Sequence, residues 1–362
     1  MASRKRKRER DEGLLRLGTD FSGLDTVCYA LQELGIGFEH EFSCESQKHR
    51  QQFIAANHKP KMMFEDINTR DQSKVPSVDL YVLGPDCQPY SKAGRGLGSA
   101  DPRASSLRSA LEYVACRKPR VVILENVPDL QRHADSFELI MSVLHESGYQ
   151  ASFNIMNTRD WGVPQCRRRL YVVAVYRAHF NDKEPFKFPD IPRQEQLTLR
   201  TWRHGSLFTG PPDKVELPTG DTASKNVCKH LQFHCDRGLN PFEIPVCIDA
   251  RSSEEFSHST LDHTMTLTKS RCGGFGHWLS TRGDFLSCTD YCLLTGMDPA
   301  KLRWRSAGLT DVQFAQMLGN AMSQNVLEFL IPPALSAAGF ITDKQCRAMQ
   351  QGSVRKWFGH CR

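Results

Sequence analysis

The sequence predicts an α/β fold, in which a doubly wound, mostly parallel sheet is joined to a smaller, irregular and β-rich module. Short apolar runs alternate with helical patterns through the first half of the chain, and this alternation is typical of a parallel sheet with helices on both faces. From about residue 181 to 272, Pro, Gly and His are frequent and no helical period persists. Such a stretch indicates a separate module or a long insertion.

Residues 14–45 have the pattern of a strand, a tight turn, a helix and a second strand. An apolar run over 14–21 stops at Ser22-Gly23, and apolar residues then recur at helical spacing. An extended segment follows and ends at Glu45, 22 positions beyond Gly23. In mononucleotide-binding folds the small-residue turn lets the backbone approach the ligand, and the acid binds ribose hydroxyls. No complete G-x-G-x-x-G motif is present, which favours a nucleoside cofactor without a pyrophosphate.

Further β/α units follow this first one. They are strands over 79–83, 120–124 and 170–175, a helix over 137–144, and a helical pattern from Asp311 to Asn320. Ligands of doubly wound sheets bind beyond the carboxyl ends of the strands. The polar residues of interest therefore lie where two of these strands end, at Gly84-Pro85 and at Glu125-Asn126.

The composition is that of a globular protein. Of 362 residues, 40% are hydrophobic and 24% are charged, which excludes a disordered or fibrous chain. No apolar run approaches the roughly 18–20 residues of a membrane span, so we expect no membrane partner. The basic first residues precede no apolar core, which argues against a secretory signal peptide. With no export signal and no paired spacing, the 13 cysteines are expected to be mostly reduced thiols.

Positive charge is concentrated at the start of the chain. Lys and Arg exceed Asp and Glu by 47 − 41 = 6, and the first ten residues contribute +5 of this, from six basic side chains and Glu9. Such a run is a solvated terminus, a nuclear-import signal or an electrostatic arm. We therefore expect a nuclear protein if the source is eukaryotic and a cytoplasmic one otherwise. Net charge alone does not establish a nucleic-acid partner.

Two of the strand ends carry residues suited to catalysis. The turn 84–91 places Cys87 directly after a buried strand, where a deprotonated thiol can attack an electrophilic carbon. The alternative is a buried cysteine that packs as a small hydrophobe. Glu125 and Asn126 end the neighbouring strand, and their alternative role is that of a helix cap, which suits Asn better than Glu.

A third polar segment, 165–169, opens a strand. Alternation along a strand places Arg167 and Arg169 on one face and Arg168 on the other. A solvated edge strand explains one such arginine. Two on the face of the site indicate contacts with an anion or a base.

Taken in chain order, these segments resemble the cytosine-5 methyltransferases that use S-adenosylmethionine. The resemblance covers nearly all of the chain from about residue 14 to 330, except the irregular module. Residues 85–88 resemble the family's Pro-Pro-Cys-Gln turn, Glu-Asn-Val is intact at 125–127, and Gln-x-Arg-x-Arg is intact at 165–169. Six such motifs in the right order leave little room for coincidence.

The resemblance also implies a set of cofactor contacts. They are Phe21, Ser22 and Gly23 of a Phe-x-Gly loop; the ribose-binding Glu45; Asp66 with Ile67, at the adenine; Pro85; Leu107, which follows the family's flexible catalytic loop and the segment 101–103; and Asn320 and Met322 of the closing Gly-Asn motif. No resident metal is implied.

The mechanism that the resemblance implies is covalent. The Cys87 thiolate adds to carbon 6 of cytosine while Glu125 stabilises the protonated ring nitrogen 3, and Asn126 shapes the turn. Carbon 5 then attacks the cofactor's methyl group, its proton leaves and Cys87 is expelled. Arg167 would steady the base, and Arg169 would support it or contact a backbone phosphate. In duplex DNA the target must be flipped out of the stack, which costs a few kcal/mol.

Asp86 is the main departure from the family pattern. It replaces the proline before Cys87, and a carboxylate there raises the pKa of the thiol unless it is solvated or paired with Arg167 or Arg169. The cofactor loop also lacks the family's later glycines. A catalytically impaired DNA-binding relative is therefore one alternative to an active DNA methyltransferase.

A tRNA methyltransferase is the second alternative. That branch of the family has a Cys-Phe-Thr signature before its final motifs, and residues 266–269 of this chain read Thr-Leu-Thr-Lys in the comparable place. DNA is therefore the preferred substrate, tRNA the less favoured one, and we expect a monomer.

The predicted organisation has five parts. They are a basic tail over 1–12, a cofactor-binding catalytic domain over 13–180, a target-recognition domain over 181–290, a return to the catalytic domain over 291–345, and a C-terminal tail over 346–362. The third part carries eight basic residues as possible nucleic-acid contacts: Arg193, Arg200, Arg203, Lys225, Lys229, Arg251, Lys269 and Arg271. It also holds Cys228, His230, His234 and Cys235, four potential zinc ligands whose spacing fits one tetrahedral site poorly.

Overall fold

The computed structural model describes residues 14–86, 104–178, 184–208 and 217–359. Its main sheet has seven strands: β1 (Leu15–Asp20), β2 (Phe38–Cys44), β3 (Met62–Phe64), β4 (Leu80–Leu83), β5 (Val121–Asn126), β6 (Tyr149–Asn157) and β7 (Arg168–Tyr176). They are ordered β3-β2-β1-β4-β5-β7-β6, and β7 alone runs opposite to the other six strands. The predicted mostly parallel, doubly wound sheet is confirmed.

Helices cover both faces of this sheet. Those of the first half are α1 (Thr26–Glu33), α2 (Lys48–Asn57), α3 (Ala104–Arg117) and α4 (Ala134–Glu146). Alternation along the strands supplies both apolar layers. In β4, Leu80 and Val82 point into the layer that holds α1, whereas Tyr81 and Leu83 point into the layer that holds α3 and α4. Central parallel strands are buried on both sides for this reason.

A smaller antiparallel sheet forms a second module. Its strands are β8 (Val246–Asp249), β9 (Ser259–Leu261), β10 (His277–Leu279) and β11 (Asp284–Phe285), in the order β11-β10-β8-β9. The short helix α6 (Lys269–Gly273) joins β9 to β10.

The expectation that no helical period persists in this part of the chain is wrong. Residues Asp221–Cys235 form the helix α5, which packs Ala223 and Val227 against Ile248 and Trp278 of the small sheet. Part of its buried face is polar, with Asn226, His230 and His234. Apolar periodicity therefore does not mark it in the sequence.

The chain then returns to the main sheet through α7 (Cys288–Leu294), α8 (Asp311–Asn320) and α9 (Gln324–Ala337), the last of which packs on α1. The expected C-terminal tail is wrong for residues 346–358, because they belong to the helix α10 (Asp343–Phe358). Trp357 is 1% exposed there, and its indole nitrogen donates to the Glu328 carboxylate at 2.8 Å. No helix of the described residues is long and apolar enough to cross a membrane.

Candidate active site

A cavity of about 580 Å³ lies at the carboxyl ends of β1, β2, β4 and β5. Its volume is in the range of small-molecule pockets. Thirteen of the predicted site residues line it: Phe21, Ser22, Gly23, Glu45, Asp66, Ile67, Pro85, Glu125, Asn126, Arg167, Arg169, Asn320 and Met322. The fold thus brings together segments about 300 positions apart.

The loop between β1 and α1 turns sharply over the cavity. Phe21, Gly23 and Asp25 all have left-handed backbone conformations, with φ of 56°, 55° and 49°. Such conformations are uncommon for Phe and Asp. The loop is held to the end of β2, where the Ser22 amide donates to the Cys44 carbonyl at 3.1 Å. As a result, the Gly23 amide points at the Glu45 carboxylate.

Glu45 is 3% exposed and its carboxylate accepts three hydrogen-bond donors. They are the Gly23 amide at 3.0 Å, the Gln47 amide at 3.0 Å and the Arg50 guanidinium at 3.4 Å. The Arg50 nitrogen lies 3.4 Å from both carboxylate oxygens, so these two long bonds are the ones that a ligand hydroxyl would replace. Sequence reasoning missed Arg50, which lies one helical turn after the acid and lines the same cavity.

The predicted adenine contacts lie on the outer wall. Asp66 is exposed and its carboxylate accepts the Asn68 amide at 2.8 Å, while Ile67 is buried. Leu107, which the sequence predicts as a cofactor contact, does not line the cavity. Its side chain is 1% exposed and packs in the apolar layer beneath α3, whereas Ser105 and Ser106 of the same helix line the cavity.

A buried ion pair that sequence reasoning missed forms another part of the wall. Asp20, the last residue of β1, is 1% exposed and pairs with Arg70 at 2.5 Å and 2.8 Å. The Tyr81 hydroxyl also donates to it. Burial raises the pKa of Asp20, and Arg70 opposes that rise. The position of Asp20 at the carboxyl end of a central strand is the sequence signal that marks it.

The predicted nucleophile turn begins at Gly84 and Pro85. Asn126 donates from its amide nitrogen to the Pro85 carbonyl at 2.9 Å, which ties the turn to the end of β5. Asp86 is exposed, and among the described residues no ion pair joins it to the arginines of 165–169. Cys87 and the segment 101–103 lie outside the described residues.

Glu125 is 8% exposed at the floor of the cavity. Burial raises the pKa of its carboxyl group, and Arg169 and then Arg167 oppose the rise. The Arg169 Nε lies 3.2 Å from Glu125 Oε1, yet this oxygen has no hydrogen-bond partner among the described residues. A buried carboxyl whose pKa is raised, with an oxygen that makes no hydrogen bond, is suited to donate a proton or hydrogen bond to a ligand.

The two arginines have different surroundings. Arg167 is 2% exposed, and its guanidinium donates to the backbone carbonyls of Leu267, Gly319 and Ala321 at 2.6, 3.2 and 2.7 Å. These bonds occupy its two terminal nitrogens. Arg169 pairs instead with Glu125. The contact of Arg167 with a base stays a prediction, and both of its terminal nitrogens are already engaged by these carbonyls.

The end of α8 and the following turn form the opposite lip of the cavity, with Asn320 exposed and Met322 half-buried. A Cβ at Gly84 would lie 3.1 Å from Met322 Cε. The two motifs thus pack directly on each other. Lys269, the first residue of α6, brings a positive charge from the small module to the same cavity.

The four potential zinc ligands of α5 do not converge. His230 Nε2 lies 3.0 Å from Ser257 Oγ and His234 Nε2 lies 3.1 Å from Ser259 Oγ, so both histidines face the small sheet. Cys228 and Cys235 are exposed. The histidines attach the helix to the small sheet instead.

Several of the predicted basic contacts have intramolecular partners. Arg200 pairs with Asp262 at 2.7 Å, Arg271 pairs with Asp249 at 3.0 Å, and Arg203 stacks on Trp357. Of the eight predicted basic residues, Lys269 is the one that lines the cavity.

Fold and site together define an α/β protein with a cavity of small-molecule size at the carboxyl end of a mostly parallel sheet, beside a buried carboxyl–guanidinium pair. A sequence model described as C-5 cytosine-specific DNA methylase matches residues 20–332. The chain therefore belongs to the family of C-5 cytosine-specific DNA methylases.

Individual relatives agree with this membership. The type II methyltransferase M.NgoBI of Neisseria gonorrhoeae is 36% identical over 172 residues, 47% of this chain and 52% of that protein. M.HaeII of Haemophilus aegyptius is 34% identical over 181 residues, 49% of this chain and 54% of that protein. The chain thus spans about half the length of these curated relatives.

Solved structures share the fold at low sequence identity. The methyltransferase EhMeth of Entamoeba histolytica has a TM-score of 0.63 at 18% identity, and covers 90% of this chain and 98% of its own. The Dnmt2 methyltransferase of S. pombe has a TM-score of 0.59 at 18% identity, and covers 89% of this chain and 98% of its own.

Proposed function

We propose that this protein transfers a methyl group from S-adenosylmethionine to carbon 5 of cytosine in DNA. The observation that carries the proposal is the floor of the cavity. There the buried Glu125, whose pKa is raised and whose Oε1 has no hydrogen-bond partner among the described residues, lies against Arg169 and next to the turn that leads to Cys87. The family membership of residues 20–332 supports the same reaction.

The cavity has the donors and acceptors that the proposed cofactor needs. Glu45 offers carboxylate oxygens to ribose hydroxyls, and the loop 21–25 and the turn 320–322 enclose the remaining volume. S-adenosylmethionine, when bound, supplies an electrophilic methyl group on a positively charged sulfur. The position of Glu45 at the end of β2, beside the Gly23 amide, is the geometric reason for this assignment.

The residues of this chain activate the base. Cytosine carbon 5 is a weak nucleophile, and addition of the Cys87 thiolate to carbon 6 converts it to an enamine carbon. Glu125 gives its proton or a hydrogen bond to ring nitrogen 3 as negative charge develops there, which the raised pKa favours. Arg169 orients Glu125 and the base. Loss of the carbon 5 proton after methylation then expels the thiolate and restores the ring double bond.

A direct assay tests the reaction. Transfer of a tritiated methyl group into duplex DNA and into unmodified tRNA is measured for the wild type and for Cys87→Ser. We expect label in DNA from the wild type alone, and unchanged binding of S-adenosylhomocysteine by the variant. Cys116→Ser, which changes an exposed cysteine of α3, is the matched control and should retain full transfer.

Three outcomes contradict parts of the proposal. Label in tRNA but not in DNA would mean that the substrate is RNA. Cofactor binding without transfer to either would indicate an impaired relative, with Asp86 as the first position to revert to proline. Failure of a 5-fluorocytosine duplex to form a covalent adduct with an active enzyme would remove the Cys87 mechanism.

Two further parts of the proposal concern the whole protein. The basic run over residues 4–10 supports nuclear import in a eukaryotic cell, and its replacement by alanines should make a fluorescent fusion lose nuclear enrichment. The protein is proposed to act as a monomer, so light scattering after gel filtration should give a mass near 41.1 kDa.

A further inference from the structure

A strap of residues 264–268 joins the small module to the catalytic half of the protein. It follows β9 and leads into α6. The strap runs beside the segment before β7: the Cys166 amide donates to the Thr264 carbonyl at 2.8 Å, and the Thr266 hydroxyl donates to the Cys166 carbonyl at 2.6 Å. The end of the strap therefore has a defined position next to Arg167.

Arg167 connects this strap to the other lip of the cavity. One terminal nitrogen donates to the Leu267 carbonyl of the strap and to the Gly319 carbonyl at the end of α8, and the other donates to the Ala321 carbonyl. The Arg167 side chain is only 2% exposed, so water cannot replace these three hydrogen bonds. Three buried carbonyls would lose their donor if the guanidinium were removed, and each such loss is costly.

Gly319 permits the close approach that these bonds require. A Cβ at this position would lie 2.6 Å from the Lys269 backbone nitrogen and closer still to the Thr268 carbonyl group. Backbone atoms cannot move aside as a flexible side chain can. The glycine is therefore an independent sign that α8 and the start of α6 are held in direct contact.

The two segments joined in this way have different proposed ligands. The turn 320–322 and Lys269 at the start of α6 both line the cavity. The turn carries predicted cofactor contacts, and Lys269 is one of the predicted nucleic-acid contacts of the small module. A displacement of one segment moves the other, because the guanidinium and the close backbone contact leave little room between them. A ligand that shifts one segment therefore changes the position of the other, which is the condition for coupling between two sites.

We propose that Arg167 is a positioning residue that holds the cofactor turn and the start of α6 as one unit, so that the binding of cofactor and of DNA are energetically coupled through it. This inference rests on the proposed function. Arg167 contacts neither ligand in this role, and it acts through the carbonyls of Leu267, Gly319 and Ala321.

The test measures coupling directly. The dissociation constant of S-adenosylhomocysteine is determined by calorimetry with and without saturating duplex DNA, and its ratio is the coupling factor. Coupling between sites is typically about 5–150-fold. We expect a wild-type factor in this range and a factor near 1 for Arg167→Met, which keeps the apolar stem and removes all donors. Gly319→Ala, which forces the segments apart, should lower the factor as well.

Two controls separate positioning from stability. Leu144→Ala removes a buried side chain of α4 in the opposite apolar layer and should lower the melting temperature while the coupling factor stays at the wild-type value. Arg167→Lys retains one charged donor and should restore part of the factor; it takes the place of Arg167→Met if that variant does not fold by circular dichroism.

The proposal is overturned if folded Arg167 variants keep the wild-type coupling factor, or if the wild type binds both ligands without coupling. A wild type that binds no S-adenosylhomocysteine would instead refute the proposed function. The two failures are therefore distinguishable in the wild-type titration alone.

Discussion

Asp25 is the last residue of the loop 21–25 between β1 and α1, and replacing it with asparagine should change how stability depends on pH. The residue is 2% exposed. Its Oδ2 accepts the Ser43 hydroxyl at 2.7 Å, and its Oδ1 has no partner among the described residues. Burial raises the pKa of its carboxyl group from 3.8 to about 6, although His58 and the hydroxyls of Thr19 and Ser43 oppose the rise.

The sign of the effect follows from proton linkage. Between pH 4 and 6 the folded protein holds the Asp25 proton and the unfolded chain has lost it, so rising pH destabilises the fold over this window. The shift of about 2.2 pH units, at 1.36 kcal/mol per unit, corresponds to about 3 kcal/mol. Asn does not titrate and tolerates the left-handed conformation. The unfolded carboxyl is already more than half ionised at pH 4, so the difference in unfolding free energy between Asp25→Asn and the wild type should move by about 2.4 kcal/mol in favour of Asn from pH 4 to 7.5.

Urea denaturation of both proteins across this pH range measures the difference. The constant cost or gain of the substitution cancels, because only its change with pH is compared. Ser43→Ala provides a second check: it removes a hydrogen bond to the carboxylate and should extend the destabilising window to higher pH. A difference that does not vary with pH, or that favours Asp at the higher pH, would refute the reasoning.

Three further predictions concern the site and the core. Glu45→Gln should weaken S-adenosylhomocysteine binding about tenfold, since one ionised hydrogen-bonding partner is worth roughly 1.5 kcal/mol. The DNA affinity, measured by fluorescence anisotropy, should not change. An unaltered cofactor affinity would exclude Glu45 from the cofactor site. Arg169→Lys should lower kcat by about 10–100-fold with little change in the cofactor KM, because Lys lacks the planar fork that orients a carboxylate. Equal kcat values of variant and wild type in steady-state methylation assays would contradict the pairing with Glu125. Trp357→Ala should cost about 3–5 kcal/mol of unfolding free energy, measured in urea, and a cost below about 1 kcal/mol would mean that α10 is not part of the core.

Local patterns were sufficient to predict the main sheet. β4 and β5 are short continuous apolar runs, and α4 has an apolar face, so burial is visible in the sequence. The same logic located the carboxyl ends of the strands, and with them Glu45, Glu125 and Asn126. These side chains line one cavity because parallel strands deliver their ends to the same edge of a sheet.

Helices with polar buried faces were not predictable in this way. α5 turns Asn226, His230 and His234 inward, where Asn226 donates to the carbonyls of Ala250 and Ser252. α10 buries only Cys346, Ser353, Trp357 and Phe358. A pattern method sees no apolar stripe in either case, because hydrogen-bonding partners far away in the chain make those positions favourable.

For Arg167 and Arg169 too, the sequence determined one part of the arrangement and the tertiary structure determined the other. Strand alternation placed Arg167 and Arg169 toward the site, and both line the cavity. The tertiary structure decided which arginine pairs with the Glu125 carboxyl group. Backbone carbonyls 100 to 154 positions beyond Arg167 accept hydrogen bonds from it, so Arg169 is the one that pairs with Glu125. Periodicity records the direction of a side chain relative to its own strand. The partners that define its chemistry come from other segments, and only the folded chain brings them within hydrogen-bonding distance.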